Sequence, residues 1–269
     1  MVEILKHDGV TQWRFSSVGS RLTGYSASAF LTADGVLIDT GIPATRREFE
    51  ALLGSTPVRG VMLTHHHEDH AGNVELVARR GITLWIAPAT LPLITTIERI
   101  RAYRRYTWTP MAPLRSPVVP FQSETLLHVP TPGHCADHHA IWEPTTRSLF
   151  SGDLFLGVAV RIAHHDEDPW QVIASLERAA ALEPVRMFDA HRGLVPDAAA
   201  ALRTKAAWTR QLIATITQCI SRGETDVQIL KSVMGGESMT GFASGGEYSR
   251  RNFIRNVRAG LSGARIGHE

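Results

Sequence analysis

The sequence has only two cysteines, Cys135 and Cys219. Two thiols cannot build a disulfide framework, so a reducing compartment, the cytoplasm, is the expectation. No apolar run approaches the ~20 residues that a bilayer span needs, which argues against a membrane protein. Low-complexity tracts and long blocks of one charge are missing, so neither a disordered tail nor a coiled coil fits. Charge of one sign is also in short supply. The 28 Lys+Arg and 26 Asp+Glu leave a net charge of +2, a weak global case for nucleic-acid binding. The opening MVEILKHDGV lacks the apolar core of a signal peptide. What remains is a globular composition, 43% hydrophobic over 269 residues, enough for one large domain or two small ones. The unusual abundance is histidine, of which there are 13.

Strand and helix signals alternate along the first 192 residues. SASAFLT and VLIDT flank an Asp34-Gly35 turn and read as a hairpin. A helix is expected over roughly 44–53, a strand in VRGVMLT, a helix in AGNVELVARR and a strand in ITLWIA. Residues 91–106 have helical spacing at Leu93, Ile97 and Ile100. Pro110, Pro113, Pro117 and Pro120 then predict a long ordered loop or lid. Strands follow in ETLLHVP, HHAIWE, SLFSGD and VRMFDA, with Asp168-Pro169 capping a helix before the last of these. From about residue 197 helices dominate, interrupted by the glycine-rich GGESMTGFASGG. The pattern implies an α/β or α+β core with a helical C-terminal appendage packed on it, residues 1–196 and 197–269.

Chemistry concentrates in Thr64–His70, THHHEDH, directly after the strand VRGVML. Residues 65, 67 and 69 share one parity in an extended stretch, so their side chains can face one side together. Imidazole and carboxylate donors converging on one point make a metal site. Four histidines within six residues are not a chance solvated loop.

This segment resembles the HxHxDH motif of the metallo-β-lactamase fold superfamily, whose other elements recur here in order. Val36–Gly41 (VLIDTG) looks like its first motif, and Thr131–His134 (TPGH), Ser151–Asp153 (SGD) and Asp189–His191 (DAH) look like the later ones. The likeness spans residues 27–192. It implies an αββα sandwich in which His65, His67 and His134 hold one metal and Asp69, His70 and His191 a second, with Asp153 bridging. Asp39 and His138 would support these ligands through hydrogen bonds. Each motif follows an apolar strand, and open sheets place their sites at strand carboxyl ends. His66, Glu68 and His139 have the wrong parity or position and are expected to be structural or exposed; Cys135 is read as a bystander.

The resemblance implies a dinuclear metal-dependent hydrolase that activates water against a carbonyl or phosphoryl centre. Zinc is the default for both sites, and iron or manganese suits the same donors. Asp69 is a candidate to take the proton from the attacking water. Asp153 and His70 are retained where β-lactamases of this fold depart, which favours the branch with glyoxalase II and the β-lactamase-like endoribonucleases. A thioester, ester or lactone is the favoured substrate and RNA the alternative. A mononuclear iron persulfide dioxygenase and a β-lactamase are weaker readings. Quorum-sensing lactonases carry a tyrosine near the site, and this chain has none between Tyr106 and Tyr248, which weighs against that branch.

Arg99, Arg101, Arg104 and Arg105 cluster before the proline-rich loop, and Arg161 lies eight residues past Asp153. Arg104, Arg105 and Arg161 are the candidates to bind an anionic small molecule. Arg250, Arg251, Arg255 and Arg258 are an exposed face or a further anion contact. The run His164–Asp168 reads as surface loop. The helix from Ala198 to Ile220 reads as core packing or the face of a homo-oligomer.

Overall fold

A computed structural model describes residues 1–97 and 99–263. The chain opens with a hairpin that the sequence reading omitted, β1 (Val2–His7) and β2 (Val10–Phe15), turning through Gly9 at φ 71°. Helix α1 (Val18–Thr23) follows, capped by Ser17. The expected hairpin forms as β3 (Ala27–Thr32) and β4 (Val36–Ile38). Next come α2 (Arg46–Ser55), β5 (Gly60–Met62), α3 (Val74–Arg79) and β6 (Leu84–Trp85). These six strands form one sheet in sequence order, antiparallel to β4 and parallel beyond it.

The single helix expected over 91–106 is instead two short ones, α4 (Thr90–Thr95) and α5 (Ala102–Thr107). The β-branched run Ile94–Ile97 has poor helix propensity. Ile94 is anchored in the core, and α5 turns away towards the ligand edge. The proline-rich segment has no regular helix, as expected, but it is no lid. Met111 and Leu114 are buried in the core beside the first sheet, and residue 120 bridges to Leu84 of its edge strand.

The second sheet has the order β12-β11-β9-β8-β7, built from β7 (Leu127–Pro130), β8 (His139–Glu143), β9 (Ser148–Gly152), β11 (Arg186–Asp189) and β12 (Gly193–Pro196). Between its third and fourth strands in the chain lie β10 (Ala163–His164) and α6 (Pro169–Ala180). Asp168 caps α6 by accepting from the amides of Trp170 and Gln171, as its Asp-Pro start predicts.

The two sheets face each other across Phe30, Ile38, Met62, Ile141, Phe150 and Phe188. Phe150 and Phe188 stack at 5.2 Å, and Phe30 tilts against both. Burying each ring contributes about 1.5–3 kcal/mol. Helices α2 and α3 cover the outer face of the first sheet through Phe49, Leu53, Val74 and Val77. Helices α6 and α7 (Ala198–Ser221) cover the second through Leu176, Ala179, Leu202 and Ala206. The architecture is therefore an αββα sandwich.

The remaining C-terminal elements are α8 (Asp226–Ser232), α9 (Met239–Ala243), β13 (Tyr248–Ser249) and α10 (Arg250–Leu261). Helix α9 lies inside the segment read as a glycine-rich loop. The tail packs through a core of its own, with Ile216, Ile229, Ile254 and Val257 against Ile173 and Ala163, and β13 pairs with β10. Among the described residues no helix is long and apolar enough to cross a membrane.

Candidate metal centre

Strand carboxyl ends deliver all seven expected ligands to one edge of the sandwich. The loop after β5 carries His65, His67, Asp69 and His70; His134 follows β7, Asp153 follows β9 and His191 follows β11. Their donor atoms converge in two groups, His65, His67, His134 and Asp153, and Asp69, His70 and His191. Within each group the donor atoms lie within 4.8 Å of one another. Asp153 touches both groups. Its Oδ2 is 3.3 Å from His134 Nε2, and its Oδ1 is 3.2 Å from His70 Nε2 and 3.1 Å from His191 Nε2. His67 Nδ1 lies 3.0 Å from His65 Nε2 and 3.1 Å from His134 Nε2.

The outer nitrogens explain which way the inner ones face. His70 Nδ1 donates to Asp39 Oδ2 at 2.8 Å, His134 Nδ1 to Glu167 Oε1 at 2.6 Å, and His191 Nδ1 to the Ser26 carbonyl at 2.7 Å. Carboxylate and carbonyl oxygens only accept, so each Nδ1 bears a proton and each Nε2 is left facing inward, the atom whose lone pair a cation would take in place of a proton. Buried among them, His70 Nε2 and Asp153 Oδ1 have no aligned hydrogen bond. Such an orphaned group costs about 1–3 kcal/mol. Lone-pair nitrogens and carboxylate oxygens without protons to share fit a divalent cation.

Asp39 holds this edge under strain. It is a non-glycine residue at φ 63°, a left-handed conformation disfavoured by about 1–2 kcal/mol. In return its carboxylate accepts from the Thr64 amide at 2.8 Å as well as from His70. His138 is completely buried, and its Nε2 accepts from the Asp153 amide at 3.0 Å. Gly152, at φ 50°, leaves room for that ring, because a Cβ there would sit 2.6 Å from His138 Nε2.

Electrostatics divides the cluster. Burial, reinforced by neighbouring imidazoles, holds His65 and His67 well below the ordinary histidine range. Burial also opposes charging of His191, but Asp153 and then Asp69 carry it up to about 9. Burial, then His134, pushes His138 down to about 3, as suits a neutral acceptor.

Three expected bystanders turn out structural. His66 donates to Asp137 Oδ1 at 2.8 Å, and the His139 amide donates to the Thr64 carbonyl at 2.8 Å. Glu68 is buried in an ion pair with Arg104, whose Nε lies 2.6 Å from Glu68 Oε1. Cys135 is buried, and burial pushes its thiol well up, which disfavours the thiolate that a nucleophile needs.

The donor edge opens into a cavity of about 800 Å³, of a size that suits a small-molecule site. His67, Asp69, His134, Asp153 and His191 form part of its wall. Of the three arginines proposed to bind substrate, only Arg104 lines it. Arg104 is also committed to Glu68 and, at 3.1 Å, to Glu247. Arg105 is exposed away from the lining, and Arg161 sits over the Trp208 ring at 5.9 Å.

Several contributors were not foreseen. Glu167 and His164 were read as surface, yet Glu167 orients His134, and His164 lies 3.6 Å from Glu247. Lys205, buried in α7, donates to the carbonyls of Leu154 and Phe155, fixing the turn after Asp153. Tyr248 reaches the cavity from the tail, beside Tyr25, Tyr103 and Tyr106. The missing tyrosine in the second half therefore carries no weight, since β13 supplies one.

An αββα sandwich with paired His/Asp donor groups at one strand edge is a scaffold whose donor chemistry suits divalent cations. Residues 24–191 match the family described as "Metallo-beta-lactamase superfamily", and the chain belongs to that superfamily. It is 27% identical over 169 residues to "Beta-lactamase-like protein 2 homolog" of Caenorhabditis elegans, covering 59% of this chain and 52% of that protein. It is 26% identical over 135 residues to "Probable metallo-hydrolase YybB" of Bacillus subtilis, 46% of this chain and 58% of that one. The chain thus spans little more than half the length of these relatives. Among solved structures, a beta-lactamase domain protein from Burkholderia ambifaria superimposes with TM-score 0.69 at 18% identity, covering 97% of this chain and 88% of that one. A metallo-beta-lactamase from Pontibacter korlensis gives TM-score 0.59 at 18% identity, covering 78% and 99%. The likeness to these two structures is one of fold.

Proposed function

We propose that this chain is a glyoxalase II-like dinuclear hydrolase of a thioester, ester or lactone, with residues 1–196 as catalytic core and 197–269 completing the cavity. The observation that carries this reading is the convergence of seven His and Asp donors, two of their atoms orphaned, at an edge where five of the seven line a cavity large enough for a small molecule. His65, His67 and His134 would hold one cation and Asp69, His70 and His191 the other, with Asp153 between; zinc is the default and iron or manganese meets the same donors. Bound there, the cations would lower the pKa of water and polarise the substrate carbonyl.

The chain's own residues do the rest. Asp39, Glu167 and the Ser26 carbonyl fix the imidazole tautomers, so the donor edge is organised before substrate arrives. Asp69 is nearly buried yet faces the cavity, with Oδ2 3.5 Å from His191 Nε2. From there its carboxylate takes the proton of the attacking water. Burial of this edge excludes bulk solvent and strengthens each charge interaction.

Phosphodiester cleavage of RNA is the alternative, and the cavity supports it less. Nucleic-acid grooves offer free cations along the backbone path. Arg104 is spent on two carboxylates, and Arg250 and Arg258 donate to protein groups away from the cavity lining. The test is thiol release from acyl-glutathione and acyl-CoA thioesters by zinc-loaded protein, with Asp153→Ala as control. Turnover that disappears in the variant is expected. Protein that holds two zinc ions yet hydrolyses no thioester, ester or lactone would overturn the reading.

A further inference from the structure

We infer that the group occupying this cavity is a long or bulky apolar acyl chain, which enters across a rim built by α1, α5 and α9. The inference rests on the hydrolase reading for its reaction, though not for its binding. The lining beyond the metal edge includes Leu154, Val160, Ile162, Val172 and Phe253, with Thr209, Ser244 and Tyr248 among them. Three cations reach the lining, and each already has partners. Arg104 pairs with Glu68 and Glu247, Lys205 donates to the carbonyls of Leu154 and Phe155, and Arg192 donates to the Leu156 carbonyl. The part of a substrate lying against this wall is therefore recognised by burial of apolar surface and not by charge.

The mouth points the same way. Leu22, Tyr106 and Met239 line the cavity and yet are 73%, 58% and 82% exposed. Phe242, 70% exposed, lies on the same short helix as Met239. Isolated exposed apolar residues are ordinary, but here they come from three separate helices and border one opening. The three helices are joined. A Cβ on Gly19 of α1 would collide with the Tyr106 backbone of α5, and Tyr25 Oη lies 3.3 Å from Thr240 Oγ1 of α9. Apolar side chains thus stand both at the solvent rim and on the wall beside the donor edge. The cavity, about 800 Å³, has room for roughly 25 groups of water size at ~30 Å³ each, far more than an acetyl or lactoyl group fills.

The test uses zinc-loaded protein and straight-chain acyl thioesters of N-acetylcysteamine from two to twelve carbons, a small uncharged carrier. Each methylene buried should raise kcat/KM about fourfold until the chain outgrows the cavity. Ala243→Trp, which narrows the wall, and Met239→Asp, which charges the rim, should each cut the octanoyl-to-acetyl preference at least about tenfold with zinc content unchanged. Met239 is so exposed that its substitution spares the fold. A flat dependence on chain length, or a preference that both variants leave intact, would overturn the inference. Calorimetric binding of decanoate against acetate reads the same site without catalysis. If no thioester is turned over, decanoate binding about 100-fold tighter still supports an apolar acyl site while the hydrolase reading falls. Equal binding of the two acids would overturn the acyl site as well.

Discussion

Glu167→Ala tests whether the donor edge is held in place by groups outside it. Glu167 Oε1 accepts from His134 Nδ1 at 2.6 Å, and the Glu167 side chain is 16% exposed, so the bond is short, charge-assisted and partly shielded from water. Hydrogen bonds to charged groups contribute about 1.5–3 kcal/mol, and loss of a partner behind a metal-bound histidine weakens metal affinity about 10- to 100-fold. The two ranges agree, since tenfold corresponds to about 1.4 kcal/mol and 100-fold to about 2.7. The loss should be unequal between the two metals, because His134 belongs with His65 and His67 and not with Asp69, His70 and His191. Competition against a chromophoric zinc chelator, read as two stepwise affinities, measures this. One affinity should fall 10- to 100-fold and the other by less than about threefold. Glu167→Gln keeps a neutral acceptor and should lie between wild type and Ala. An unchanged pair of affinities would show that Glu167 does not orient His134. An equal fall at both would show that the edge responds as one unit and that the local argument is wrong.

Two further outcomes follow from buried charge. Arg104→Ala strands the carboxylate of Glu68 in the interior, while Glu247 keeps Arg101 at 3.3 Å, and should cost about 3–5 kcal/mol of unfolding free energy by urea titration; Glu68→Gln in the same chain should recover part of that loss. Burial alone would raise the Asp137 carboxyl, but His66, Cys135 and Thr90 hold it well below the usual range. Its stabilising contribution is therefore present above the unfolded carboxyl pKa of about 3.9 and lost as pH falls through the lower folded value. Metal-free Asp137→Asn should lose less stability than metal-free wild type on acidification below about pH 4, measured by urea midpoints.

The seven donor residues were legible because each of the motifs that carry them comes just after an apolar strand, so strand ends and chemistry coincide in the chain. Asp39 and His138 were legible through the motifs that contain them. Glu167 was not, because it meets His134 from 33 positions away, within a polar run that looks like solvent-facing loop. Glu68 and Arg104 pair over 36 positions, so parity near the ligands could say only that Glu68 points elsewhere. The second strand of the N-terminal hairpin, VTQWRF, is buried at Val10, Gln12, Trp13 and Phe15, positions of both parities. The polar Gln12 inside that pattern breaks the hydrophobic signal, and it is satisfied by a bond to Ser28 of β3. Helices α4 and α5 merge in the sequence because their apolar spacing continues across the break between them.

Pairing of β10 with β13 has a consequence for the order in which the molecule is made. Every donor lies between residues 65 and 191, whereas Lys205, Met239, Tyr248 and Phe253, which form the opposite wall, come later in the chain. At about 5–20 residues per second, the ribosome needs roughly 3–12 s to synthesise the stretch between His191 and Phe253. Through that interval every donor residue is already made, while the tail residues that line the cavity are not. The chamber around the donor edge is therefore completed last, when β13 pairs with β10.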